Sequence, residues 1–361
     1  MRVGFFISSL SGGGAEKVLI TIAQSMADNN IGSVSITSLE KRPQFYQVDE
    51  EKVELYKIKN KHTGIRAFWE DFISIRKHIK NDNAEVMISF LSRCNLLLLL
   101  CCLFNNRKII VCDRNNPLKE HSRVIFWLSC LLYKRANRIV VQTNQIKTFY
   151  PRFLQKKIVV IENPIDNHKL QNELCRDGYN TKRVISMGRL EPQKDFETLI
   201  KAFAEINKQF SDWKLDIYGT GEKQEIVQKL IDDLNLTNTV CLCGRTEKPV
   251  MEMSKSDIFV LSSYYEGFPN VLCEAMYAGC ACISTDCVSG PRELIEQKLN
   301  GTLVPIGDVS KMKQALLTYI KNEDIRQKNG KNAQRTVERL YVNNIMKKWR
   351  ELIEQVGENI D

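Results

Sequence analysis

The chain runs twice through one alternation: short apolar stretches of strand length, each followed by a segment of helical periodicity. Such alternation builds parallel sheets, because a parallel strand rejoins its neighbour only through a long crossover, usually a helix. Residues 3–8, 33–38, 85–91, 108–112 and 138–142 read as strands of the first series. Residues 183–187, 214–218, 240–242, 258–261, 282–284 and 302–304 form the second. With 361 residues the chain is long enough for two domains, each burying its own core. The break falls near 163–180, where a Pro164 turn precedes a polar stretch, 166–181, without apolar periodicity. The expectation is two doubly wound α/β domains, residues 1–165 and 166–340. A last helical pattern, about 334–355, carries Leu340, Met346, Trp349, Leu352 and Ile353, and a terminal helix over 340–361 is expected to cross back onto the first domain.

Apolar residues make up 43% of the chain and charged residues 26%, a balance that excludes disorder as the dominant state. No apolar run reaches the roughly 20 residues of a membrane-spanning helix; the longest, 96–104, is too short. The first ten residues lack the apolar centre of a signal peptide, so a cytoplasmic location is expected. Twelve cysteines are scattered without zinc-site spacing and read as buried free thiols, with no metal implied. The net charge of +9 is unevenly spread, +11 in residues 1–165 and −2 in the remainder. A basic half suits a polyanion: nucleic acid, anionic lipid headgroups or a diphosphate-bearing substrate.

Two segments bear on partners. Residues 65–80 place Ile65, Phe68, Trp69, Phe72, Ile75 and Ile79 near helical spacing, with Arg66, Arg76, Lys77 and Lys80 among them. Both an interfacial helix and an ordinary surface helix look like this. Residues 124–133 are apolar almost all round and are followed by Lys134, Arg135 and Arg138, which reads as buried core.

Three loops could carry chemistry. Gly12, Gly13 and Gly14 follow the first strand and open a helix, so their backbone can approach a ligand and offer amides to an anion or sugar hydroxyl; a plain strand-to-helix turn accounts for them equally. The dinucleotide fingerprint is broken, since its third small residue would fall at Lys17. In Gly188-Arg189-Leu190-Glu191-Pro192-Gln193-Lys194-Asp195, Arg189 leaves a strand end and Lys194 precedes a helix start. Two cations so placed could stabilise a leaving diphosphate in an interdomain cleft, or could simply be solvated. The third loop places Glu266 and Glu274 eight residues apart across a turn into a helix, with Gly267 and Pro269 shaping the turn and amides around Phe268–Val271 available to an anion or hydroxyl. Glu274 alone also suits the helix dipole.

At these residues the sequence resembles the retaining family-4 glycosyltransferases of the GT-B fold, of the kind that builds bacterial surface polysaccharides and lipid-linked oligosaccharides. The likeness rests on Glu266 and Glu274 within EGFPNVLCEAMYAG, on GRLEPQKD and GGGAEK, and on VIENPID, YGTGEKQE and SGPRELIEQKLNGTLVPIGD, spanning essentially the whole chain. It implies two Rossmann-like domains facing across a cleft, the first for the acceptor and the second for the nucleotide sugar. It further implies that Arg189 and Lys194 bind the donor diphosphate. Glu266, with the backbone amides of Gly267 to Asn270, would hold hydroxyls of the donor sugar, with Phe268, Pro269 and Val271 in the same donor-binding loop, and Glu274 would hold the ribose. Gly12, Gly13 and Gly14 would face the diphosphate and acceptor. Gly188, Gly219, Gly221 and Arg245 would complete the donor site, with 243–246 beside the nucleobase. Many members carry a histidine after the fourth strand of the first domain; here the region reads Val111-Cys112-Asp113-Arg114-Asn115-Asn116-Pro117, so Asp113, Arg114 or Asn115 would position the acceptor, and His121 reads as a surface residue at a helix start.

The implied reaction moves a hexose or N-acetylhexosamine from a nucleotide diphosphate sugar, UDP-linked, to a hydroxyl of a lipid-diphosphate-linked saccharide, with retention. In the family's favoured front-face route the leaving phosphate oxygen takes the acceptor proton, so no protein base of raised pKa is needed. No cofactor and no metal are expected: the chain has no Asp-x-Asp triplet, and the cations serve instead. The basic first domain is expected to sit on the anionic inner face of the cell membrane. Competing readings are a sugar-nucleotide epimerase of the same fold, a basic non-catalytic binding protein, a nicotinamide oxidoreductase, disfavoured by the broken fingerprint, and a nucleic-acid binder, for which no recognition motif exists.

Overall fold

The computed structural model describes residues 1–39, 44–59, 64–120, 122–175 and 180–358. His121 and part of the 166–181 stretch lie outside them. The chain divides into two compact units, Met1–Pro164 with Leu340–Asp361, and Ile165–Arg339.

The first unit is built on seven parallel strands: β1 (Arg2–Ile7), β2 (Ser33–Ser38), β3 (Val53–Lys57), β4 (Val86–Phe90), β5 (Lys108–Cys112), β6 (Arg138–Val141) and β7 (Ile158–Val160). Their order across the sheet is β3-β2-β1-β4-β5-β6-β7. Two of them, β3 and β7, escape the sequence reading, and both are edges. Along Val53–Lys57 only Val53 is buried, so the apolar signal of a central strand is missing, and β7 has just three residues.

Successive side chains leave a strand on opposite faces. Phe6, Met87, Ile109 and Ile139 meet Ile75 and Ile79, Leu97 and Leu98, and Phe126 and Cys130, from helices Gly64–Asn81, Ser92–Cys101 and Arg123–Tyr133. Those three helices therefore share one side of the sheet. On the side of Phe5 and Phe90, the C-terminal helix Val342–Glu358 inserts Trp349, fully buried, with its ring stacked at 6.4 Å on Phe90. The pattern expected as one helix over 334–355 is in fact two, Glu323–Val337 in the second unit and Val342–Glu358 in the first, separated by a 3-10 turn at Glu338–Leu340.

The second unit holds β8 (Arg183–Met187), β9 (Lys214–Tyr218), β10 (Val240–Gly244), β11 (Ile258–Leu261), β12 (Ala281–Thr285) and β13 (Gly301–Val304), all parallel, ordered β10-β9-β8-β11-β12-β13. Both sheets thus place the first strand beside the second on one flank and the fourth on the other, the doubly wound order with its switch point between first and fourth. Helices Phe196–Asn207, Gln224–Asp233 and Val309–Lys321 cover one face through Leu199, Phe203, Val227, Ile231 and Leu316.

All twelve cysteines are free and nine are buried; burial pushes the Cys94, Cys112 and Cys130 thiols up to about 12. The buried nine serve as small apolar side chains.

The residues 124–133 depart from expectation. Phe126, Ser129, Cys130 and Tyr133 are buried, but Val124, Trp127, Leu128 and Leu131 lie on the outer face of the helix, exposed to solvent. The helix is apolar on both sides because only one side has a core to meet.

Trp349→Ala removes the ring that anchors the terminal helix. Its expected cost is about 3–5 kcal/mol of stability, read as a lowered denaturant midpoint, with Trp349→Phe much milder.

Candidate active site

In open parallel sheets ligands bind beyond the carboxyl ends of the strands, at the switch point. In the second unit that point lies between β8 and β11. The segment after β8 turns through a 3-10 helix, Pro192–Lys194, into Asp195, whose left-handed backbone (φ 45°) begins the next helix. The Asp195 carboxylate caps it, accepting from the Thr198 hydroxyl at 2.7 Å, and burial holds this carboxyl above its ordinary range. The segment after β11 is tied to the first: the Tyr264 amide donates to the Gln193 carbonyl and the Gln193 amide to the Tyr265 carbonyl, each at 2.8 Å, and Ser262 Oγ donates to the Lys194 carbonyl at 2.7 Å.

These ties bring Lys194 Nζ to 2.7 Å from Glu266 Oε1, both side chains largely buried. Lys194 occupies one carboxylate oxygen, and no group among the described residues donates to Glu266 Oε2. The pair therefore keeps further ammonium donors and a carboxylate acceptor at one place, a combination suited to a phosphate beside sugar hydroxyls.

Arg189 is separate from this pair. Its side chain is exposed and bound to Glu191 at 2.9 Å. The glycines that follow β9 act through close packing. A Cβ on Gly219, whose φ is +143°, would lie 1.8 Å from the Gly188 carbonyl oxygen, and one on Gly221 would lie 2.4 Å from that of Leu190. On Gly188 a Cβ would press on the Lys194 stem at 3.2 Å. Arg245 Nε donates to Thr220 Oγ1 at 3.0 Å, and the Gly219 amide to the Gly244 carbonyl at 2.7 Å, so the ends of β8, β9 and β10 form one continuous rim.

The Glu266 turn is held from below by residues the sequence reading left without a role. Ser289 Oγ donates to the Gly267 carbonyl at 2.8 Å, and Gly290 (φ +97°) lets Pro269 approach so closely that a Cβ would sit 2.5 Å from its ring. A Ser-Gly-Pro run before a helix is the available signal. Pro269 stands at the N-cap of helix Asn270–Ala278, and the half-buried Glu274 lies one turn in. The expectation of free amides over 268–271 needs correction at Asn270, whose N–H is turned back onto the Phe268 carbonyl at 3.0 Å.

The first unit brings a larger correction. The Gly12 and Gly13 amides do not stand open: both donate to Glu16 Oε2, at 2.6 and 2.5 Å, while Ser9 Oγ donates to Oε1 at 2.9 Å. A buried carboxylate from the helix itself fills the anion position of this loop. Asp113 is also withdrawn from any acceptor role. Its carboxylate accepts from Asn95 at 2.8 Å, from Tyr133 at 2.7 Å and from Tyr150, an interior network in which burial and Asp113 raise the Tyr150 phenol well above its ordinary value. Arg114 is buried with its guanidinium 4.2 Å over the Phe90 ring and donates to Asn163 Oδ1 at 2.6 Å; its Nε and Nη2 have no hydrogen-bond partner, and burial lowers its pKa. Asn115 is exposed.

Residues 178–336, most of the second unit, match the model of the family described as Glycosyl transferases group 1. The whole chain is similar to two Campylobacter jejuni enzymes. One, the alpha-1,4-N-acetyl-D-galactosaminyltransferase acting on GalNAc-alpha-(1->4)-GalNAc-alpha-(1->3)-diNAcBac-PP-undecaprenol, is 25% identical across 99% of both chains. The other, the N-acetylgalactosamine-N,N'-diacetylbacillosaminyl-diphospho-undecaprenol 4-alpha-N-acetylgalactosaminyltransferase, is 28% identical across 90% of this chain and 92% of its own. Among solved structures, Anabaena HepE in complex with UDP and glucose superposes with a TM-score of 0.79 at 19% identity, over 98% of this chain and all of its own. Residues 178–336 thus match the glycosyl transferases group 1 family, and the chain as a whole has the GT-B fold. The loops that the family likeness picks out are the loops at the second unit's switch point. No helix among the described residues is long and apolar enough to cross a membrane.

Gly219→Ala tests the rim. The added methyl meets backbone at a positive φ, so stability should fall by about 1–3 kcal/mol, read as a lowered midpoint of thermal unfolding.

Proposed function

We propose that this glycosyltransferase moves a hexose or N-acetylhexosamine from a UDP-linked donor to a hydroxyl of a lipid-diphosphate-linked saccharide, with retention at the anomeric carbon and without a metal. The observation that carries the reading is the Lys194–Glu266 pair at the switch point, a cation and a half-free carboxylate held 2.7 Å apart by two loops. The relatives support the acceptor class, since both C. jejuni enzymes are named for undecaprenol-diphosphate saccharides. The HepE complex with UDP and glucose supports the donor class.

In the proposed reaction the bond from the anomeric carbon to the diphosphate oxygen breaks, and the acceptor oxygen bonds to the same face of that carbon. The acceptor proton passes to the departing phosphate oxygen. Lys194 and Arg189 take up the negative charge that grows on the diphosphate, the exposed Arg189 exchanging its partner Glu191 for the phosphate. Glu266 Oε2 accepts sugar hydroxyls, and Glu274 the ribose. Gly267, Phe268 and Val271 line the sugar side, while Gly188, Gly219, Gly221 and Arg245 shape the nucleotide side. In the first unit, Arg114 and Asn115 are the acceptor-side residues. The excess charge of +11 in residues 1–165 favours an anionic inner leaflet, where each basic residue near the surface contributes about 1 kcal/mol.

Transfer from UDP-sugars to membrane lipid extract should fall about tenfold or more in both Lys194→Ala and Glu266→Ala, with unfolding midpoints recorded in parallel. Near-normal rates in both variants sink the assignment, and a new free sugar nucleotide without lipid-soluble label identifies an epimerase instead. Turnover should persist in chelator. Complete loss that manganese restores overturns the metal-independent reading.

A further inference from the structure

Two helices of the first unit carry large apolar side chains on their outer faces. On Arg123–Tyr133, residues 124, 127, 128 and 131 fall on one arc at 100° per residue, opposite buried Phe126, Cys130 and Tyr133. Trp127 is 54% exposed, Leu128 57% and Leu131 53%. On Gly64–Asn81, Trp69 and Ile73 stand one turn apart, 56% and 63% exposed. Both helices flank Ser92–Cys101 on the same side of the sheet, so their outer faces look away from the core together.

The charge on this surface is predominantly positive. Arg66, Arg76, Lys77 and Lys80 occupy the same exposed arc as Trp69 and Ile73. Of the two acidic residues of that helix, Asp71 is buried against Arg93 at 2.9 Å, and the half-buried Glu70 lies at the edge of the arc beside Lys77. Helix Arg123–Tyr133 contains no acidic residue. A second copy of the chain would present the same positive charge and be repelled. Phospholipid with anionic headgroups satisfies both features, since basic side chains meet the headgroups and tryptophans and leucines enter the boundary below them.

We infer that the outer faces of helices Gly64–Asn81 and Arg123–Tyr133 form a membrane-docking surface that inserts Trp69, Trp127, Leu128 and Leu131 into an anionic bilayer. The inference deepens the lipid-linked reading of the acceptor by naming the surface that meets the lipid, and it does not depend on the roles given to Lys194 and Glu266.

The test uses the full chain with vesicles of phosphatidylcholine, with and without phosphatidylglycerol. Of the four tryptophans, Trp213 and Trp349 are buried, so a lipid-dependent change in fluorescence reports Trp69 and Trp127. With phosphatidylglycerol, emission should shift to the blue and be quenched by brominated acyl chains, and Trp69→Phe with Trp127→Phe should remove that quenching. Leu128→Ser with Leu131→Ser should weaken flotation about tenfold or more while leaving the unfolding midpoint unchanged. Lys77→Glu with Lys80→Glu should weaken it chiefly at low salt. Absence of flotation with anionic vesicles at low salt, flotation indifferent to the leucine substitutions, or a concentration-dependent dimer that those substitutions abolish each overturns the inference. Transfer to a detergent-solubilised lipid acceptor should be unaffected in the leucine variant. If the unsubstituted chain fails to float yet still transfers to that acceptor, the acceptor reading stands and only the docking surface is rejected.

Discussion

A parallel sheet whose strand order reverses sends the loops on either side of the reversal apart, leaving a crevice that no crossover helix covers. In the second unit β8 and β11 are hydrogen-bonded neighbours although about 70 residues separate them, and the loops that leave them meet above that junction. The ion pair between Lys194 and Glu266 exists because of this adjacency. A largely buried pair of this kind is expensive to desolvate and is weak evidence for stability on its own. Its position at the switch point of the second sheet is what gives it a chemical reading.

The surroundings of the pair are built mostly from backbone. Gly219 and Gly221 have no room for a side chain, Gly188 packs on the Lys194 stem, Ser289 and Gly290 brace the Glu266 turn, and Gln193 ties the two loops together. Held in this way, the carboxylate and ammonium are aligned before a ligand arrives, which is where electrostatic stabilisation of a leaving diphosphate gains most. The first unit follows the same topology with different chemistry at its strand ends. Glu16 fills the glycine loop, and Asp113 is enclosed by Asn95, Tyr133 and Tyr150.

Every strand of the second sheet and the five inner strands of the first could be read from apolar runs, the central ones most plainly because strands covered on both faces are nearly continuous in hydrophobicity. The edge strands Val53–Lys57 and Ile158–Val160 could not, since an edge buries little and its pairing partner alone defines it. Lys194, Glu266 and the glycines were legible through their setting between strand ends and helix starts. Ser289 and Gln193 were not, because each acts by bonding to a backbone carbonyl far away in sequence, and a serine or glutamine in a loop carries no mark of that.

By itself the sequence determined where backbone could extend, coil or turn sharply, how charge divides between the halves, and which residues could serve as cation or acid. Those are local properties, carried by periodicity, glycine and composition. Only the tertiary structure decided that Lys194 meets Glu266, that Glu16 takes the amides of Gly12 and Gly13, that Asp113 turns inward, and that one face of residues 124–131 is left to solvent. Each of these depends on which strand lies beside which and on which helix face finds a core. Strand order is a global choice that short-range pattern does not encode.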